Sequence, residues 1–314
     1  MLISAYGIAM GVKQRRYPYE ACLKSLATFC DEIIVAYDKR FDNPVIFSRI
    51  SDKIKLLEVH YEFDKWDFIN TVLTQARREC KGEWCYIYGM DEVFKETQTV
   101  NLINAAKTWD ANQNAITVRM ICMLCFDMLD ISQFTRGDGR VGLSRNLPNI
   151  IHKTCPPFIG QMDSEIWDGK YIKQGDDFGY LDELHPEIYW NGDSPNHFVE
   201  DYTIPEDIKG DLSKEINYRL ENCTYIWHYA WYNPSRKQEQ GIQTSIWQNR
   251  TYGRSADLDI EKQVQLLKET IILDPEYSHG IIDQVKQKPT WMQVNVEHPN
   301  YVREWIDEMG IGAI

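Results

Sequence analysis

The sequence has 314 residues with 43% apolar content, and its 34 Lys and Arg stand against 47 Asp and Glu for a net charge of −13. That length and composition can bury a full core and admit one large α/β domain or two small ones. The acidic balance disfavours broad charge-driven binding to nucleic acid or anionic membrane, because phosphate contacts need lysine and arginine.

The opening, residues 1–12, lacks the basic leader and small-residue cleavage site of a signal peptide and reads as a first strand, with residues 2–8 as its apolar run. No apolar run approaches the roughly 18 residues that a membrane span needs. Pro18 opens a helix in which Cys22, Leu26, Phe29 and Cys30 recur at helical spacing. Residues 33–36 form a second, buried strand that runs into the turn-rich loop 37–44, and residues 54–59 form a third. Trp66, Ile69, Val72, Leu73, Ala76 and Cys80 share one helical face, and residues 84–88 form a fourth strand closed by Gly89-Met90-Asp91-Glu92. This rhythm predicts a mostly parallel central sheet flanked by helices. From about residue 101 the alternation loosens: a strand over 115–124, a loop-rich stretch over 132–215, a dense aromatic strand over 225–232, and helices over 260–272 and 301–309. One domain over 1–240, with halves 1–100 and 101–240, and a helical C-terminal extension over 241–314 is the expected organisation.

The eight cysteines are scattered, and Cys122-x-x-Cys125 has no second pair, so they read as buried thiols of a reducing cytoplasm rather than a disulfide framework or zinc site. A cytoplasmic protein is expected on these grounds.

In parallel sheets, ligands bind beyond the carboxyl ends of the strands. Asp38, Asp42 and Asp91 all occupy such positions. Two readings of Asp91 stand. It holds a divalent cation that neutralises a diphosphate, or it caps a helix beginning at Val93. Asp38 and Asp42 suit either a ribose hydroxyl and base N–H or the turn before Pro44. His228 in the aromatic strand, followed by Arg236 and Lys237, joins an imidazole to two cations in one short stretch, although a core histidine among core aromatics fits as well. Among the middle acids, Asp163, Glu165, Asp168, Asp176, Asp177, Asp182 and Glu183, one is expected to serve as a base toward an acceptor hydroxyl.

Cys22-Leu23-Lys24-Ser25-Leu26 and the run Phe29-Cys30-Asp31-Glu32-Ile33-Ile34-Val35-Ala36-Tyr37-Asp38 with Asp42 beyond carry a resemblance. So do Gly82-Glu83-Trp84, Gly89-Met90-Asp91-Glu92 and His228-Tyr229-Ala230-Trp231. The sequence resembles glycosyltransferase family 2, nearest to the branch of lipopolysaccharide-core sugar transferases. The likeness covers residues 1–95 well and 220–240 moderately. It implies a GT-A (Rossmann-like) fold, Mn²⁺ or Mg²⁺ held by Asp91 and His228, and a UDP- or GDP-sugar donor. Tyr37, Asp38, Asp42, Arg236 and Lys237 would contact that donor, and Glu165, with Asp163 second, would be the base. The family's first aspartate of D-x-D is Gly89 here, and the aspartate closing its second strand is Tyr37. The expected activity is sugar transfer to an acceptor hydroxyl with inversion. The competing readings are a sugar-1-phosphate nucleotidyltransferase, which needs a glycine-rich phosphate loop near residues 5–11, and a non-catalytic carbohydrate-binding protein of the same fold.

Overall fold

The computed structural model describes residues 2–13, 15–62, 68–108, 115–124, 128–130, 139–147, 151–152, 165–167, 170–173, 204–231, 291–293 and 297–309. The first half alternates as the hydrophobic pattern predicts. It runs β1 (Ile3–Ala9), α1 (Tyr19–Ala27), β2 (Glu32–Tyr37), a short α2 (Val45–Ser48), β3 (Ile54–Glu58), α3 (Phe68–Arg78) and β4 (Trp84–Tyr88). β2 and β4 are buried along their whole length, as strands covered on both faces must be. Ile33 and Val35 enter one core with Trp84 and Tyr86, while Ile34 and Ala36 enter the other with Cys85 and Ile87. Helix α1 covers the first face with Cys22, Leu23 and Leu26, and α3 covers the second with Phe68, Val72, Leu73 and Ala76. Burying a leucine of this kind contributes about 1.5–3 kcal/mol.

Strands β3, β2, β1 and β4 are parallel neighbours in that order. β8 (Gly139–Arg145) is inserted antiparallel between β4 and β6 (Ala115–Leu124), which restores the original direction in β6. β12 (Tyr225–Trp231) lies parallel to β6 and antiparallel to β5 (Glu92–Phe94). β7 (Met128–Asp130) and β13 (Trp291–Gln293) extend the far edge. The result is an α/β fold on a mostly parallel central sheet. A separate three-stranded sheet joins β9 (Ile151–His152), β10 (Glu165–Trp167) and β11 (Lys170–Lys173).

One expectation is corrected here. The residues after Asp91 form β5, and the next helix, α4 (Thr99–Thr108), begins later, so Asp91 caps no helix. The β-branched Val93 and aromatic Phe94 favour a strand and find a partner in β12. Further on come α5 (Leu212–Asn222) and α6 (Asn300–Glu308). Val302 and Trp305 of α6 belong to the same core as α1. The helix expected over 260–272 lies outside the described residues. Cys22, Cys30, Cys80, Cys85 and Cys223 are buried free thiols, and no described helix is long and apolar enough to cross a membrane.

Candidate active site

The β5–β12 ladder sets the site. His228 is the register partner of Glu92, and the next backbone bond runs from the Tyr229 N–H to the Asp91 carbonyl at 2.8 Å. This brings His228 Nε2 to 3.5 Å from Asp91 Oδ2, with the two side chains 19% and 14% exposed. Both groups therefore reach solvent. Two ligands each about 2.1 Å from one cation stand roughly 3.0–3.5 Å apart, so the pair fits a shared divalent ion. Among the described residues no cluster of three or more His, Cys, Asp or Glu could hold a metal. An ion here would draw its other ligands from water and from a phosphorylated substrate.

Gly89 shapes the same spot. A Cβ there would lie 2.8 Å from Asp91 Oδ1 and 3.1 Å from Glu92 Oε1. The space of the missing side chain is taken by neighbouring carboxylates, so an aspartate at 89 would displace Asp91. Glu92 is buried at 4% exposure and accepts from the Tyr86 hydroxyl at 3.0 Å. The carbonyl of Gly89 accepts from the Cys22 thiol at 3.2 Å, tying the turn to α1.

Asp38 and Asp42 follow β2, and both carboxylates are engaged within the loops. Asp38 accepts from Arg40 Nε and from the backbone N–H groups of Arg40 and Tyr61, each at 2.9 Å. The Arg40 guanidinium, then the Tyr61 and Arg40 amides, hold its carboxyl well below the usual carboxylate range despite burial. Asp42 receives the N–H groups of Gly11 at 2.6 Å and Val12 at 2.9 Å, binding the loop after β1 to the loop after β2. Burial raises its pKa, and those two amides and Arg15 partly offset the rise. Tyr37 is buried at the end of β2, its phenol pKa raised by burial and then by Glu58.

Asp38→Asn is expected to lower stability at pH 7 by roughly 1–3 kcal/mol, the cost of weakening hydrogen bonds to a buried anion. Because the folded carboxyl is depressed, its contribution is present above the ordinary carboxylate pKa of about 3.9 and fades as the pH falls below it. Urea midpoints of the two proteins should therefore keep their separation from pH 7 down to about pH 4 and converge only as the pH falls further.

Glu165 opens β10, with His152 and Lys173 as its backbone register partners. Asp163, Arg236 and Lys237 lie outside the described residues. The sequence reading missed two participants. Glu92 was legible as the neighbour of Asp91. His298 carried no local signal: its Nδ1 lies 2.9 Å from the Tyr229 hydroxyl, and its ring stands edge-on to Trp227. Both aromatic residues flank His228.

No protein-family model and no curated protein matches the sequence. Among solved structures, the 1–349 segment of S. aureus TarS in complex with UDP-GlcNAc overlaps with 19% identity over 39% of this chain and 35% of that one, at a TM-score of 0.32. The same segment described without a ligand overlaps with 13% identity over 92% of this chain and 75% of that one, at 0.34. The 4-diphosphocytidyl-2C-methyl-D-erythritolsynthase of Anaerococcus prevotii overlaps with 17% identity over 38% of this chain and 55% of that one, at 0.29. This chain thus spans about a third of the TarS segment in its UDP-GlcNAc complex and 22% of the chain in another S. aureus TarS structure. Overlaps this loose carry no argument, and the fold and the roles of this chain's residues rest on its own geometry.

Proposed function

We propose that the chain is a GT-A-type glycosyltransferase, related to the lipopolysaccharide-core branch of family 2. It would move a sugar with inversion from a UDP- or GDP-sugar to an acceptor hydroxyl in the cytoplasm. The observation that carries the proposal is the meeting of Asp91 and His228 beyond the carboxyl end of β4, the side of a parallel sheet on which ligands bind. A bound Mn²⁺ or Mg²⁺ would supply charge neutralisation on the diphosphate.

In this reading Asp91 and His228 hold the cation, and Arg236 and Lys237 meet the charge that develops on the leaving group. Asp38 and Asp42 act through the shape of the donor loops. Glu165, or Asp163 in its place, takes the proton of the acceptor hydroxyl. Residues 1–240 make the transferase domain, and 241–314 extend it. The nucleotidyltransferase alternative is weakened by Asp42, because the Gly11 and Val12 N–H groups that would cradle phosphate already donate to its carboxylate.

Two protein ligands bind a divalent ion weakly alone and more tightly when a diphosphate completes the shell, so each should strengthen the other's binding. Calorimetric titration with UDP and with GDP, in Mn²⁺ and in EDTA, tests this. Binding that is equal in EDTA removes the proposal, and pyrophosphate-dependent exchange into a nucleotide sugar replaces it with nucleotidyl transfer. Glu165→Gln is expected to leave nucleotide binding intact and to lower transfer, or acceptor-independent hydrolysis of the donor, by roughly 10²–10⁴-fold. Full turnover in that variant assigns the base elsewhere.

A further inference from the structure

A cavity of about 410 Å³, lined by neither Asp91 nor His228, lies between the turn after β1, the start of α1 and the face of α6 that carries Tyr301, Trp305 and Glu308. Its size falls in the roughly 300–1,000 Å³ range of small-molecule sites. Tyr17, Tyr19, Tyr301 and Trp305 contribute aromatic surface to its wall. Lys13, Arg16 and Lys24 contribute cations, and Glu20, Glu304 and Glu308 contribute an equal number of anions.

The turn that frames this cavity is held in an unusual backbone state. Arg16 has φ 54°, the left-handed region that a side chain of its size rarely adopts. The state costs on the order of 1 kcal/mol and persists only where surrounding structure enforces it. The enforcing contact is the Trp305 indole, which donates to the Arg16 carbonyl at 3.1 Å across 289 residues. Bonds from Arg15 N to the Gly11 carbonyl and from Tyr17 N to the Val12 carbonyl close the turn.

The wall chemistry selects among ligands. The glutamates oppose a phosphate or polyanion, and the lysines and arginine oppose a metal ion. Six charged side chains make the wall too polar for a hydrocarbon chain, which would desolvate them, even though Glu20 already pairs with Lys24 and accepts from the Tyr19 hydroxyl. A neutral polyol meets every requirement. Its hydroxyls donate to carboxylates and accept from ammonium and guanidinium groups, and its C–H faces stack on tyrosine and tryptophan rings. We propose that this cavity is a saccharide-binding site for one or two neutral sugar rings, separate from the transfer centre. The site uses neither Asp91 nor His228, so it stands or falls independently of the transferase reading.

Saturation-transfer NMR and calorimetry on the full chain, in EDTA and without nucleotide, test it with lactose and N,N′-diacetylchitobiose as probes. At least one should bind. Tyr301→Ala should weaken it about ten-fold, the loss of one stacking face, and Lys13→Ala should weaken it several-fold as a second variant at an exposed position. Asp91→Asn should leave saccharide binding unchanged. The proposal is overturned if neither sugar binds, if both cavity variants bind as the parent does, or if inorganic phosphate or glycine competes for the site.

Discussion

Asp91→Asn is expected to weaken cation-dependent nucleotide binding by about 100-fold or more, since in the proposed site a neutral amide would replace one of two protein ligands. The change should cost little stability. The side chain is partly exposed, and the Asp91 carbonyl that receives the Tyr229 N–H is untouched. A shift within about 1 kcal/mol is expected for an isosteric change of this kind. Paired titrations of parent and variant with UDP and GDP in Mn²⁺ provide the measurement, with urea unfolding as the control. If nucleotide affinity holds while stability falls, the Asp91–His228 contact is an ion pair that supports the fold, and the cation belongs elsewhere.

Gly7→Ala is expected to have the opposite profile, with a large effect on folding before any on binding. Gly7 sits in the middle of β1 opposite Tyr88 of β4. The Tyr88 ring crosses β1 at that point, and its hydroxyl donates to the Ile34 carbonyl of β2 at 3.1 Å. A Cβ on residue 7 would lie 2.7 Å from the Tyr88 ring and 2.7 Å from the Tyr88 carbonyl. The backbone atom cannot swing aside, and moving the ring strands a buried phenol. Overpacking and a lost buried hydrogen bond together cost roughly 3–5 kcal/mol, a large part of the ~5–15 kcal/mol that holds a domain folded. Equilibrium urea unfolding checks the value. The double variant Gly7→Ala with Tyr88→Leu should recover part of it, because the coupling of the two sites is steric. Additive losses in that cycle reject the explanation.

The first four strands were legible because local rules govern them. Residues 33–36 and 84–88 are unbroken apolar runs, and the helices between strands repeat their apolar residues at helical spacing. The position of β8 was not legible. Pairing of Trp84 with Arg145 and of Ala115 with Ser144 depends on contacts far apart in the chain. β5 is three residues long, too short for a period to declare itself. At the site, the sequence places carboxylates at strand ends but says nothing of the donors they meet. Asp42 finds its amides about thirty residues upstream, and Asp38 finds Tyr61. Asp91 and His228 each stood out singly, yet their approach follows from the β5–β12 register, which no local pattern encodes.

The bond from Trp305 to Arg16 also bears on how the molecule assembles during synthesis. β1 to β4 come from the first 88 residues and can pair with one another as soon as they leave the ribosome. β12, which brings His228, must wait for more than a hundred further residues, and the helix that clamps the Arg16 turn emerges later still. Nascent chains halted between those points would carry a formed parallel sheet with the aromatic strand or its cover missing. Such chains offer apolar surface to chaperones and neighbours at the stage when the Asp91–His228 pair is still unformed.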